Sequence, residues 1–400
     1  MNKKWECYEV DEEKADYMAR KYGINKLITR ILINRNFADE EKLNVFLNPT
    51  RKDFYDPFQM PDMEKAVTRI IKAINNNENI VIYGDYDVDG ITSTTVLKKF
   101  LLQRGAKVCE YIPNRLKEGY GLNKQAIKKI SENKTDLIIT VDCGISAIDE
   151  VEYANSLGME TIVTDHHEPS EVLPNAIAVV DCKRKDNKYP FNSLAGVGVV
   201  FKLIQAISQR LNLEEKEYLK YLDIVCLGTI SDIVPLVDEN RVITKLGLKL
   251  VEVTKNIGLK TLIKMSGYKT IDSTTISFGI APRINACGRM GHVEEALKLF
   301  FTENEAEAKA IAKKLNEYNK ERQEIEQKIF KEALEEIEKN DKEKEVIVLG
   351  KEDWHHGVIG IVCSKITELY FKPSILICFE EEMRKRFRKE HTTVLIYMKH

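Results

Sequence analysis

The sequence holds no C-x-x-C pair, although cysteine occurs at positions 7, 109, 143, 182, 226, 287, 363 and 378. Zinc ribbons need such pairs, and several of these thiols lie in apolar, strand-like runs. Neither a zinc site nor a disulfide framework is expected; buried, reduced thiols of a cytosolic protein are. An excess of one charge is also lacking: 61 basic side chains stand against 63 acidic ones, a formal net charge of −2. A chain so balanced has no global attraction to nucleic acid or to an anionic membrane, so any polyanion must be held by a local basic patch. No apolar stretch reaches the length needed to span a bilayer. The opening residues, MNKKWECYEV, have no apolar signal core. The expectation is a cytoplasmic protein with no membrane attachment.

What is present is a normal globular composition, 43% hydrophobic and 31% charged, over 400 residues. That length exceeds one ordinary core, so two or more domains are expected. Residues 1–75 read as short amphipathic helices leading into the core. From about 79 to 182 a rhythm appears. NIVIYG ends at Asp85, DLIITV at Asp142, ETIVT at Asp165 and AIAVV at Asp181, with helix-type segments between them. Continuous β-branched runs alternating with helices predict an α/β fold with a parallel sheet covered on both faces. Ligands of open α/β sheets bind at the carboxyl edge of the strands, so the four aspartates are expected to converge on one crevice.

Residues from 195 to about 300 look helical, interrupted by GTISDIVPLVDENRV and SFGIAPRINACGRMGHVE. Residues 304–340 hold neither Pro nor Gly and are rich in Ala, Glu, Lys and Gln, which predicts a long exposed helix between domains. A second α/β unit opens at EVIVLG and reaches SILICF. The expected division is 1–75, 76–303, 304–342, 343–383 and a basic tail, 384–400.

The stretch VIYGDYDVDG sets Asp85, Asp87 and Asp89 at alternate positions, and TDHHEP sets Asp165, His166 and His167 side by side. For any single aspartate a helix cap is the plain alternative. For the whole set that alternative leaves like charges crowded and uncompensated, which a divalent cation resolves. Carboxylate with imidazole suits Mn2+, and carboxylate with water suits Mg2+. Two such cations are a standard arrangement for phosphodiester hydrolysis.

GDYDVDG, VDCG, TDHH and GTISDIVPL resemble the ordered motifs of the DHH phosphoesterase superfamily. LAGVGVVFKL, PRINACGRMG and WHHGVIGIV narrow the resemblance to the RecJ family of single-strand-specific DNA exonucleases, over residues 45 to 383. The resemblance implies a metal-bearing domain and a DHH-associated domain with single-stranded DNA threaded between them. It implies Mn2+- or Mg2+-dependent 5′-to-3′ hydrolysis releasing mononucleotides, in DNA repair and recombination. A monomer is expected, with a helicase or single-strand-binding protein as partner. Carried over by position, Asp87, Asp89, Asp142, His166 and Asp232 are metal ligands. Asp85 and His167 either bind metal or orient a ligand. Asp232, in SDIVPL, has a helix cap as its alternative. Arg115, in IPNRLKEGYGL, and Arg283 and Arg289, flanking INACG, are expected to grip phosphate, for which the planar guanidinium is suited. His355 and His356 are expected at the DNA channel or in a buried turn; the family usually has an acid at position 356.

The resemblance ends at a departure. Where the family continues with a Gly-Ser-Gly-Arg-Ser loop, this chain reads EEEMRKRFRKEHTTVLIYMKH. One permitted codon choice for Arg384 to Thr392, read one base later, encodes Glu-Lys-Gly-Ser-Gly-Arg-Ser-Ile. The tail is therefore expected to be an out-of-frame reading, the alternative being an ordinary basic tail. The second domain should then be short of sheet partners, with an unpaired edge, and the enzyme slow and weak in DNA affinity. Three other readings stand beside the exonuclease. They are a DHH phosphodiesterase for short oligonucleotides or cyclic dinucleotides, a silent nucleic-acid-binding scaffold, and a dinucleotide-dependent dehydrogenase. The last needs a Gly-rich turn that GDYDVDG does not supply.

Overall fold

The computed structural model describes residues 6, 8–116, 118–341, 344–379 and 394–397, with 340, 341 and 394–397 by backbone alone. Three short helices open it: α1 (Glu12–Tyr22), α2 (Lys26–Asn34) and α3 (Glu40–Leu47). Asp11, Asn25 and Asp39 start them, each side chain accepting a hydrogen bond from an amide of the first turn. They enclose a small core of Met18, Leu32, Phe37 and Leu43. Helix α4 (Met63–Asn75) instead packs against the main body, contributing Met63, Ala66, Val67, Ile70 and Ala73 to its core.

That body is built on five parallel strands in the order β2-β1-β3-β4-β5. They are β1 (Asn79–Gly84), β2 (Lys107–Tyr111), β3 (Leu137–Val141), β4 (Glu160–Asp165) and β5 (Ala178–Asp181). Helices α5 (Val88–Leu102), α6 (Lys124–Ser131) and α7 (Ile148–Ser156) connect them. Alternate residues of each strand serve different cores: Ile80, Ile82, Ile139 and Val141 face one, Val81, Tyr83, Ile138 and Val163 the other. This is why the strands read as unbroken apolar runs. β2, an edge strand with the sequence KVCEY, is partly exposed throughout and carries no such run.

Beyond the sheet the chain is helical: α8 (Gly196–Arg210), α9 (Lys216–Leu219), α10 (Leu222–Ser231), α11 (Asp238–Glu252) and α12 (Ile257–Ser266). A π-helical turn (Thr275–Ile280) runs directly into α13 (Ala281–Arg289), followed by α14 (Val293–Phe301). The expected break at SFGIAPRINACGRMGHVE is thus largely helix. Pro282 stands in the first turn of α13, directly after the π-helical turn.

Helix α15 (Glu305–Glu336) is not exposed all round. Ala308, Ile311, Ala312 and Leu315 enter the main core, while Ile329 and Ala333 enter a second core. The second core is completed by β6 (Ile347–Glu352), α16 (His356–Tyr370) and β7 (Ser374–Phe379). β6 and β7 pair in parallel. The other edge of β7, expected to be unpaired, pairs antiparallel with β8 (Val394–Tyr397) in the register Ser374 to Tyr397. Of the tail 384–400, on which the out-of-frame expectation falls, residues 384–393 and 398–400 lie outside the described residues. Among the described residues no two cysteines form a disulfide, and six of the seven are buried. Among the described residues no helix is long and apolar enough to cross a membrane.

Candidate metal centre

Three turns and one helix end build the site. After β1 the chain passes Asp85, and Asp87 caps α5, its side chain accepting from Gly90 N at 3.1 Å. The helix cap is therefore formed at Asp87, and it is compatible with the ligand reading. Asp89 lies buried in the first turn of α5. Its two oxygens accept from Gly196 N at 2.6 Å and Val197 N at 2.9 Å, the opening amides of α8. A helix N-terminus stabilises a carboxylate placed this way. Asp142 follows β3 with φ of 60°, a left-handed conformation that Asp tolerates better than most residues. Asp165 ends β4, and Asp232 closes the C-terminal end of α10 rather than capping a helix start.

The side chains meet in three overlapping groups, in each of which the ligand atoms lie within 4.8 Å of one another. One is Asp85, Asp87 and Asp142; another is Asp142, His166 and His167; the third is Asp89, His166 and Asp232. His166 Nε2 stands 3.1 Å from Asp142 Oδ1, 3.7 Å from Asp232 Oδ2 and 3.9 Å from Asp89 Oδ2. All seven residues expected as ligands, or as orienters of ligands, are thus in the groups.

Electrostatics marks the cluster as short of positive charge. Burial, then Asp87, pushes the Asp85 carboxyl up to about 8. Burial, then Asp87, pushes Asp232 up to about 7. Asp89 and Asp142 are driven well above the usual carboxylate range by burial and by acidic neighbours, in spite of the amides on Asp89. Burial and the neighbouring His167 depress His166 to about 4, so its imidazole is neutral near pH 7. Buried His166 Nε2 and Asp85 Oδ1 find no hydrogen-bond donor. A neutral imidazole nitrogen facing carboxylate oxygens on three sides is a donor set that fits divalent cations.

Asp165 and Asp181 do not join the groups. Asp165 Oδ1 lies 2.7 Å from His167 Nδ1 and also accepts from His166 N at 2.7 Å, while Oδ2 accepts from Ile145 N at 2.9 Å. Burial raises its pKa, but the bond and charge of His167, together with the amides of Ile145 and His166, outweigh this and hold it below the usual range. It orients the histidine pair. Asp181, opposite Asp165 in the ladder, accepts from Lys183 N at 2.7 Å. The expectation of four convergent strand-end carboxylates is corrected to two, Asp85 and Asp142, with Asp165 behind the histidines and Asp181 beside it.

Arg115 packs its guanidinium 4.8 Å over the Tyr86 ring, near Asp85. Arg289 donates from Nη1 to Gly357 O at 3.0 Å, joining the main body to the start of α16. Burial, with Arg115 and Arg322 close by, lowers Arg289 to about 10. Arg283 lies at the other end of α13, bonded to Gly279 O and to Asn316 Oδ1. His355 caps α16, its Nδ1 accepting from Gly357 N at 3.1 Å, and His356 opens that helix. Three residues at the site were not singled out from sequence. Tyr120 stands edge-on to Tyr86 at 6.3 Å and to His167 at 6.2 Å, and Arg322 adds positive charge beside Arg289. The signal for Tyr86 was its place between aspartates; nothing comparable marked Tyr120 or Arg322.

Residues 79–229 match the family model described as the DHH family, N-terminal domain. A crystal structure of exonuclease RecJ bound to manganese superposes with a TM-score of 0.74 at 36% identity, covering 80% of both chains. The chain belongs to the RecJ family. The single-stranded-DNA-specific exonuclease RecJ of Bacillus subtilis is 42% identical over 95% of this chain. The RecJ of Escherichia coli is 35% identical over 92% of it. The chain spans 48% of the Bacillus RecJ and 65% of the Escherichia RecJ.

Proposed function

We propose that the chain hydrolyses phosphodiester bonds of single-stranded DNA from the 5′ end, releasing mononucleotides, with two divalent cations, Mn2+ or Mg2+. The observation that carries this is the meeting of seven candidate ligand side chains, from four separate segments, in three groups linked through Asp142 and His166. Cations held there supply positive charge to the scissile phosphate and acidify water, the usual contribution of paired metals to phosphodiester cleavage. Related RecJ proteins are named for single-stranded DNA, and one was crystallised with manganese, which agrees with the donor set.

The chain's own residues set the geometry. Asp87, Asp89, Asp142, His166 and Asp232 hold the cations, with Asp85 completing one group. Two α8 amides fix Asp89. Asp165 keeps the proton of His167 on Nδ1 and leaves Nε2 to face the reaction. Arg115 and Arg289 grip phosphate oxygens beside the acidic groups, a task for which the guanidinium fork is suited. On this reading residues 76–303 are catalytic, and 343–383 hold the substrate across the helix at 304–342.

The test is digestion of 5′-phosphorylated single strands of graded length, with and without Mn2+, by wild type and Asp142→Ala. Metal-dependent release of mononucleotides from long strands, lost in the variant, is expected. Cleavage confined to the shortest substrates would favour a short-oligonucleotide phosphodiesterase. Activity that persists in Asp142→Ala would refute the assignment.

A further inference from the structure

A balanced chain needs local positive charge to hold a polyanion, and one segment is rich in it. Between residues 253 and 293 the sequence sets Lys255, Lys260, Lys264, Lys269, Arg283 and Arg289 against a single acid, Asp272. That acid is engaged locally: its Oδ1 accepts from Thr275 N at 2.8 Å and from Thr275 Oγ1 at 3.0 Å. The same segment exposes aromatic rings. Phe278 is 72% exposed and Tyr268 43%. Phe278 lies on the π-helical turn, a distortion frequent at functional sites. The Tyr268 ring lies against the backbone of Gly279, where an added Cβ would sit 2.6 Å from Tyr268 Cε2. Arg283 is tied to the carbonyl of the same glycine.

Helix α13 links this surface to the carboxylates. At its middle Asn285 Oδ1 accepts from Val88 N at 3.1 Å, and near its far end Gly288 abuts the carbonyl of Tyr86. From Phe278 to Arg289 the helical rise is about 16 Å, a span of several nucleotides.

We propose that Tyr268 and Phe278, with Arg283 alongside, form a base-stacking site for single-stranded nucleic acid, several nucleotides from the cleaved bond. Positive charge that follows the backbone and exposed rings that stack on bases are the two components such a track requires. This rests on the exonuclease reading and extends its substrate path beyond the metal centre.

The test is fluorescence anisotropy with the full chain in Ca2+, using labelled oligothymidine of roughly twenty nucleotides and a labelled dinucleotide, the longer strand exceeding the usual site size. Phe278→Ala should weaken the long strand about tenfold, and Tyr268→Ala should do likewise. Phe278→Trp should restore affinity, and the dinucleotide should bind all four proteins alike. Phe278 is exposed, so its variants should melt with the wild type. If wild type binds the long strand and Phe278→Ala binds it equally well, the stacking site is wrong and the exonuclease reading stands. The stacking site is equally wrong if Phe278→Ala loses the dinucleotide to the same degree as the long strand. If wild type binds neither ligand, both readings fall.

Discussion

Replacing Gly196 by alanine would disturb the metal centre without removing a ligand. A Cβ there would lie 2.6 Å from Asp142 Oδ1, 2.7 Å from its Cβ and 2.8 Å from its Cγ. Favourable contacts between carbon atoms begin near 3.5 Å, so close to an ångström of movement is required. Asp142 cannot swing aside cheaply, because it is buried on left-handed backbone and its amide donates to Thr164 O at 3.1 Å. Retreat of α8 would stretch the bonds of 2.6 and 2.9 Å that hold Asp89. Overpacking of this kind costs about 1–3 kcal/mol. Displacing a ligand's support typically lowers metal affinity about 10- to 100-fold. At saturating Mn2+ a 100-fold loss removes about 2.7 kcal/mol of metal-linked stability. Thermal unfolding with and without Mn2+ reads both effects: Gly196→Ala should melt lower and gain less from the metal. A variant that matches wild type in both would show that the close approach of α8 to Asp142 does not shape the site.

Without metal, stability should fall as pH rises from about 4 to about 8. Asp85 and Asp232 titrate near 8 and 7 in the fold, because of burial and Asp87, against about 4 when unfolded. The native state therefore binds more protons in that window and loses about 1.4 kcal/mol per pH unit for each extra proton held. Mn2+ should flatten the slope; melting in EDTA and in Mn2+ across this range checks it. Lys202 and Glu239 form a fully buried pair at 2.9 Å, and Lys202 also donates to Tyr55 O at 2.7 Å. Lys202→Met should cost about 3–5 kcal/mol in urea unfolding by leaving the buried Glu239 charge without its cation, and Lys202→Met with Glu239→Gln, which keeps an acceptor for Tyr55 N and Tyr189 Oη, should recover much of it.

The strands that carry the site were legible because parallel β runs buried on both faces are apolar without interruption, and each ends where a charge becomes tolerable. β2 was hidden for the converse reason: an edge strand reading KVCEY shows no such run. Which strand-end aspartates face the metal was not legible. Asp142 and Asp165 stand in equivalent places on neighbouring strands, and only bonds from His167 and Ile145 turn Asp165 into a support. Asp232 could be named from the resemblance, not from periodicity, since it closes a helix. Arg283 and Arg289 looked equivalent because the segment between them was expected to be irregular. Helix α13 sets them at opposite ends, one beside exposed aromatics and one near Asp87. The contact of Tyr120 with His167 joins a loop to a strand end 47 residues later, and no local pattern encodes it.

Everything proposed for the chain depends on acidic and imidazole side chains from distant segments sharing divalent cations. Isothermal titration of the metal-free protein with Mn2+ is the decisive test. Heat should saturate at two ions per chain, as a paired site requires. The first binding event should be lost in Asp142→Ala, because that residue belongs to two of the three groups. Absence of saturable heat from the wild type, or an unchanged isotherm from the variant, would overturn the shared-cation site.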